Sequence, residues 1–209
     1  MSSPAADQEV FCPFLWADLA SLDPLKVADL TGAEARGAGY ELNFLGRNHL
    51  VETQKKLLIG PPDLREVGFL KTMVVLSYLV KGARGPAPGL ANVLVGPWEL
   101  PTGNVFFRGP HALPTERLAE TFGQDPGSFV AKAQNLGAEA TSASAILLRP
   151  LPYVKLGCYL TPADEEFPAQ ISWSFDRNAH FYLALDALWG LAHIFSSELT
   201  DAPTDINYN

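Results

Sequence analysis

The densest group of side chains able to bind a cation or a polar ligand lies between residues 161 and 186. Asp164, Glu165 and Glu166 are consecutive, and Asp176 and His180 follow in the same segment. Carboxylate oxygens are preferred ligands of hard cations such as Ca²⁺ and Mg²⁺, and a loop beside a returning carboxylate can hold one. Charged loops are also common as solvated surface, and aspartates often cap turns. A solvated or structural role is favoured, with a polar-ligand or cation site as the alternative.

A second set of candidates lies in an irregular segment rich in Gly and Pro, residues 96–104. It contains Trp98, whose large ring must be exposed or cover a cleft in such a loop, and Asn104. Aromatic residues more often fill a core, which is the competing interpretation. We expect a ligand-binding cleft formed by three loops, residues 98–104, 164–168 and 176–180.

Catalytic arrangements are only weakly represented in the sequence. Asp186, Trp189 and His193 share a face of the predicted last helix, which would let the aspartate orient the histidine, but a packed or surface histidine is favoured. Ser77 falls in an apolar helix and Cys158 in a strand. Neither stands in the Gly-x-Ser-x-Gly turn that exposes a nucleophile. We therefore assign no catalytic residue and favour a protein that is not an enzyme.

The charge of the chain is concentrated near its C-terminal end. The net charge is −8, and residues 164–209 hold eight acids against one base, Arg177, which leaves −7 in that region. An acidic region repels nucleic acid and anionic membranes and could dock on a basic protein partner. The two cysteines, Cys12 and Cys158, cannot form a metal cluster alone. Neither a signal peptide nor a membrane span is recognisable, so we expect a soluble, cytoplasmic protein.

Periodicity and turn residues predict the secondary structure. Helices are expected over residues 13–22, 24–30, 64–81, 114–122, 125–136 and 185–199. Asp63 would cap the third of these helices, and Gly82 would end it. A hairpin is expected from residues 40–45 and 49–53 around Gly46-Arg47-Asn48, with residues 55–59 extending its second strand. Further strands are expected over residues 143–148, 153–160 and 170–175, and the acidic segment would connect the last two.

These elements do not alternate strictly, which favours α+β over doubly wound α/β architecture. We expect a single α+β domain over residues 11–200, with a mainly antiparallel sheet of about four to six strands and helices packed mostly on one face. Residues 1–10 would form a flexible N-terminus, and residues 201–209 a polar tail.

Several short motifs together resemble those of the DUF3786 family. The C-terminal signature is carried by Asp164-Glu165-Glu166-Phe167-Pro168-Ala169, Phe175-Asp176, Ala179, Tyr182-Leu183 and Asp186. Earlier landmarks are Gly39-Tyr40, Phe44-Leu45-Gly46, Val75-Leu76-Ser77-Tyr78-Leu79, Trp98 through Phe106, and Leu136-Gly137-Ala138. The order and spacing of these motifs carry the resemblance, which covers about residues 15–199.

The resemblance implies a family of mainly anaerobic bacteria and archaea with no assigned activity. Some relatives carry an iron–sulfur module or occur near corrinoid and acetyl-CoA pathway proteins, but this chain lacks the cysteines for a cluster. We therefore expect a non-catalytic accessory protein of anaerobic metabolism that binds a small-molecule or cofactor ligand of unknown identity. The alternative is a protein-interaction module that docks through its acidic C-terminal region. A carboxylate-based or metal-dependent enzyme is the third hypothesis.

Overall fold

The computed structural model describes residues 12–61 and 65–201, in which eight α-helices accompany two antiparallel sheets. The helices are α1 (Pro13–Ala20), α2 (Pro24–Thr31), α3 (Phe69–Arg84), α4 (Gly103–Phe106), α5 (Glu116–Phe122), α6 (Pro126–Gln134), α7 (Ala179–Tyr182) and α8 (Leu185–Thr200). The strands are β1 (Glu34–Arg36), β2 (Gly39–Phe44), β3 (Arg47–Glu52), β4 (Leu57–Gly60), β5 (Arg65–Glu66), β6 (Leu94–Val95), β7 (Glu139–Ser142), β8 (Ala145–Leu151), β9 (Val154–Thr161) and β10 (Gln170–Asp176). The predicted α+β class is confirmed.

The strands form two sheets rather than the single sheet predicted. The first has the order β1-β2-β3-β4-β5, and the second has the order β6-β10-β9-β8-β7. The 16-residue helix α3 and the loop after it separate β5 from β6, and the chain begins a new sheet at β6. Alternation of side chains identifies strands, but the choice of partner depends on long-range packing that the pattern does not contain.

The first hairpin turns at a different place from the one predicted. Phe44 pairs with Arg47, so Leu45 and Gly46 alone form the turn, with φ of 52° and 73°. Two positive φ values define the type I′ turn, whose twist matches that of the flanking strands. Leu45 tolerates this backbone because its side chain is buried, and its N–H donates to Pro150 O at 2.9 Å. The following residues do not extend β3; they turn and return as β4.

The central helix α3 is buried as predicted, but its ends differ from the prediction. It begins at Phe69, with Gly68 as N-cap, because residues 65–66 pair with β4 as a strand. Asp63, the predicted cap, lies outside the described residues. Gly82 lies within the helix and does not end it: a Cβ there would meet Thr31 Cγ2 at 3.0 Å and Tyr182 Cδ1 at 3.1 Å. The glycine therefore allows close packing in the helix.

Polar contacts join α3 to α2, to the second sheet and to α8. The Tyr78 hydroxyl donates to Thr31 O at 2.6 Å and accepts from Tyr153 N at 3.1 Å, which links α2, α3 and the turn between β8 and β9. Lys71 on α3 forms an ion pair with Glu198 on α8. One hydrophobic cluster contains residues of both sheets and of α3 and α8.

The predicted hairpin of β9 and β10 is confirmed, and residues 162–169 connect the two strands. In the part of the chain that the structure describes, no helix is both long and apolar enough to cross a bilayer.

Candidate functional site

The acids that were predicted to converge lie at opposite ends of β10. Asp176 is the last residue of this strand, whereas Asp164 precedes its first residue, Gln170, by six positions. A seven-residue strand extends about 20 Å. The carboxylates therefore do not share a cation or face each other across a cavity, and the predicted cleft of three loops is not assembled around them. Within the described residues, no cluster of three or more His, Cys, Asp or Glu side chains suits a metal ion.

Asp176 instead holds the backbone of the loop after α3. Its side chain is fully buried, and its oxygens accept hydrogen bonds from Ala91 N at 2.9 Å, Asn92 N at 2.7 Å and Asn178 N at 2.9 Å. Asn178 adds a bond from its amide nitrogen to Gly89 O at 3.0 Å. These are the contacts of an aspartate that caps a turn, which is the structural role favoured for Asp176 from the sequence.

The acidic loop between β9 and β10 is exposed to solvent. Asp164 Oδ1 accepts from Glu166 N at 2.9 Å and from Phe167 N at 2.7 Å, which lowers the pKa of this carboxyl group. Glu165 and Glu166 are exposed, and the Phe167 ring is 61% exposed although it is large and apolar.

The remaining predicted site residues lie on the surface or in a local turn. Trp98 is 62% exposed in a 3-10 segment, Pro97–Glu99, that packs along β10, and Asn104 is exposed on α4. His180 is half-buried at the start of α7, where its Nδ1 lies 2.9 Å from Arg177 O. None of the cavities described below is lined by these residues.

The structure shows a different cleft, between α5 and α8, which we call the His193 cleft. It has a volume of about 430 Å³. Its lining includes the loop that leads into α5 and side chains of both helices: Ala112, Leu113, Pro114, Thr115, Glu116, Arg117, Glu120, His193 and Ser196. Glu116 and Glu120 are four residues apart on α5, so both carboxylates lie on the helix face that borders the cleft.

A single carbonyl group positions two side chains of α8 at this cleft. Ala112 O accepts a hydrogen bond from Trp189 Nε1 at 3.0 Å, and His193 Nε2 lies 3.4 Å from the same oxygen. A ring nitrogen that faces a carbonyl must carry the proton, so we assign the Nε2–H tautomer to His193. Burial lowers the pKa of His193, the Ala112 carbonyl opposes that shift, and Arg117 adds to it. The lowered pKa favours the neutral imidazole at pH 7.

A row of aromatic ring contacts begins at this histidine. The Trp189 and His193 ring centroids are 4.4 Å apart, and His111 meets the Trp189 ring edge-on at 5.9 Å. His111 also stacks on Phe106, with centroids 4.4 Å apart. Four rings from three chain segments thus pack in a row, of which His193 is the member that lines the cleft.

The model of one protein family, described as a domain of unknown function (DUF3786), matches residues 23–198. The chain belongs to the DUF3786 family. Comparison with curated proteins and with solved structures gave no match.

In this DUF3786 protein the sequence signal for the cleft was present but incomplete. The shared helix face of Trp189 and His193 was recognised, whereas their common partner, the Ala112 carbonyl, is about 80 residues away and belongs to a loop without a motif. Asp186, the third residue of that face, does not orient His193. Its Oδ1 accepts from Ala187 N at 2.8 Å in the first turn of α8.

Proposed function

We propose that this DUF3786 protein binds a small polar molecule in the His193 cleft and does not catalyse a reaction there. The observation that carries the proposal is a cleft of about 430 Å³ that combines His193 with two carboxylates on one helix face. Small-molecule sites typically have volumes of about 300–1,000 Å³ and a few convergent polar groups. The accessory role in anaerobic metabolism that the family resemblance implies is part of this proposal.

The groups at the cleft favour a ligand with hydrogen-bond donors. The carboxylates of Glu116 and Glu120 can accept bonds from an amine or hydroxyl group, and they outnumber the Arg117 guanidinium in the same lining. A binding role is favoured over catalysis because Nε2–H of His193 points to a peptide carbonyl rather than to a hydroxyl or thiol that it could activate.

The proposal is tested by thermal unfolding of the protein with a panel of compounds. The panel contains diamines, amino acids, sugars, corrinoids, hemes and divalent ions. A ligand that binds only the folded state stabilises it by about 2.7 kcal/mol when the ligand is in hundredfold excess over Kd, and Tm rises as a result. We expect a polar compound to raise Tm of the natural protein and to lose most of this effect in the Glu116→Gln/Glu120→Gln double variant and in His193→Gln.

His180→Gln is the matched control, because His180 lies outside the cleft and also faces a backbone carbonyl. It should retain the full shift in Tm. The proposal is wrong if no compound changes Tm, or if the shift persists in both cleft variants.

A second candidate function is docking on a basic protein through the acidic loop. The observation that favours it is the 61% exposure of Phe167 beside three carboxylates. An exposed aromatic ring with charged neighbours can act as an anchor for a partner with an apolar pocket and a basic rim. A photo-crosslinking residue at position 167 should capture such a partner, with a yield that falls at high salt and in Glu165→Gln/Glu166→Gln. A crosslinker at Trp98, which is equally exposed, is the control; equal capture from both positions would reject the candidate.

A further inference from the structure

Two further cavities lie where the first sheet meets the N-terminal helices. The two cavities have volumes of about 360 and 250 Å³ and share five lining residues, 38–40 and 53–54. The two cavities are therefore neighbours around the ends of β2 and β3, and we call them together the Tyr40 groove. Gly39 forms part of its wall, and a Cβ there would lie 2.0 Å from Val51 O, so no other residue fits.

Two hydroxyl groups in this groove lack hydrogen bonds. Tyr40 is 4% exposed and lines both cavities, and within the described residues its hydroxyl makes no hydrogen bond. Its pKa is raised by burial and, to a smaller extent, by the Asp23 carboxylate. Thr53 Oγ1 is sealed from solvent and also has no partner in the part of the chain that the structure describes. Buried polar groups in native proteins are nearly always paired, so the sealed Thr53 hydroxyl needs an explanation, whereas the Tyr40 hydroxyl reaches the open space of the groove as a free donor.

The groove changes in character along its length. At one end its wall is apolar, with Leu19, Leu22 and Pro24 from the connection between α1 and α2. At the other end it is bordered by cations that already have partners. Arg36 lies 3.1 Å from both Glu34 and Glu41, and Lys55 lies 2.6 Å from Glu52.

These charges favour a ligand without a net charge. An anion would have to displace a carboxylate from Arg36 or Lys55 and would be repelled by Asp23 near Tyr40. A cation would have to displace Arg36 or Lys55 from the acids that these two side chains already bind. A neutral molecule with a hydrogen-bond acceptor, by contrast, satisfies a phenol donor and needs no change in the ion pairs.

We propose that the Tyr40 groove binds a neutral, mainly apolar small molecule whose carbonyl oxygen accepts a hydrogen bond from the Tyr40 hydroxyl. The apolar part of the ligand packs against Leu19 and Leu22. A change of the Thr53 χ1 rotamer would turn its sealed hydroxyl toward the ligand. This site is independent of the His193 cleft, and either one can be wrong without the other.

The test uses Nile red, a neutral apolar dye with a carbonyl group and an emission that shifts to the blue on leaving water. We expect saturable binding to the natural protein. Tyr40→Phe should weaken the affinity about 3- to 10-fold, the value of one hydrogen bond. Ala38→Trp, which fills the region shared by both cavities, should abolish binding.

Tyr159→Phe is the matched control, because the Tyr159 hydroxyl is paired with Ser174 Oγ at 3.1 Å in the other sheet. It should leave the affinity for Nile red unchanged. Stability gives a second readout: Tyr40→Phe should keep or raise Tm, since it removes a hydroxyl without a partner, whereas a structural tyrosine would lower Tm.

Three results would overturn the proposal. The dye does not bind the natural protein, or Tyr40→Phe binds it as tightly as Tyr159→Phe does, or His193→Gln rather than Ala38→Trp abolishes binding. The last result would move the dye to the His193 cleft and would leave the proposed function of that cleft intact.

Discussion

Asp176 shows why an acid within a motif does not by itself identify a ligand site. Its carboxylate is fully buried and accepts three backbone N–H groups, two of them from the loop between α3 and β6. That loop has no regular secondary structure over residues 86–93, contains Pro86, Pro88 and Gly89, and has positive φ at Ala87 and Asn92. Such a loop has few internal hydrogen bonds, so the carboxylate supplies what the local backbone cannot.

We therefore predict a large structural effect of Asp176→Ala. The change leaves the N–H groups of Ala91, Asn92 and Asn178 without the buried acceptor that they share, and we expect the free energy of unfolding to fall by about 3 kcal/mol or more. Urea denaturation followed by far-UV circular dichroism measures it. Asp164→Ala is the control, because Asp164 also accepts two backbone N–H groups but is exposed, and its loss should cost less than about 1.5 kcal/mol. Equal effects would contradict the structural role of Asp176.

Two histidines predict how stability depends on pH. Burial is the largest cause of a lowered pKa in both His49 and His193. The folded-state pKa lies below the unfolded value of about 6.5, so the unfolded chain binds more protons in acid. The stability contributed by the neutral rings is complete above about pH 6.5 and is lost as the pH falls through the folded-state values.

The free energy of unfolding should accordingly fall between pH 7 and pH 5, and fall less in His49→Gln and in His193→Gln. Urea titrations over this pH range measure the slope. Identical slopes in the natural protein and in both variants would show that neither ring titrates as expected.

At the scale of elements, sequence patterns located helices and strands better than they located the turns between them. The hairpin, the buried helix and the β9–β10 pair follow from alternation and apolar periodicity. The two errors at α3 have one cause. Both depend on tertiary contacts that the local sequence does not show. Apolar periodicity continues through residues 65–66, but these residues pair with β4 as a strand. Gly82 has the residue type of a helix C-cap, but it lies within the helix because Tyr182 packs against it.

The first hairpin turn provides a prediction at this scale. Gly46 has φ of 73°, and a Cβ there would meet Leu136 O at 2.9 Å. Gly46→Ala therefore combines a left-handed backbone penalty of about 1–2 kcal/mol with a backbone clash, and we expect a loss of about 2–4 kcal/mol. Gly37→Ala isolates the first contribution, since Gly37 also has positive φ, 56°, but open space around it. Urea midpoints of the two variants give the comparison; equal losses would mean that the contact with residue 136 relaxes freely.

At the scale of the whole molecule, the candidate site was less predictable than the fold because it depends on distant segments. The His193 cleft requires the Ala112 carbonyl beside α8, and the Tyr40 groove requires the α1–α2 connection beside two strand ends. In neither case does a fixed spacing of residues in the sequence indicate that these segments lie together. The acidic loop was predicted as a ligand site because its acids are adjacent in sequence, but adjacent residues in an extended chain face different directions.

The same long-range contacts predict that both sheets unfold together. Tyr78 bonds to Thr31 and Tyr153, Lys71 pairs with Glu198, and one hydrophobic cluster includes both sheets. With 5-fluorotryptophan, ¹⁹F NMR can follow Trp16 on α1 and Trp173 on β10 in one urea titration.

Both resonances should convert to the unfolded signal at the same urea concentration. Leu58→Ala, a fully buried change in β4 of the first sheet, should cost about 2–5 kcal/mol and lower both midpoints equally. Ile146→Ala in β8 is the reciprocal variant in the second sheet and should do the same. If Leu58→Ala moved only the Trp16 transition, the two sheets would be separate folding units, because a shared core cannot lose stability on one side alone.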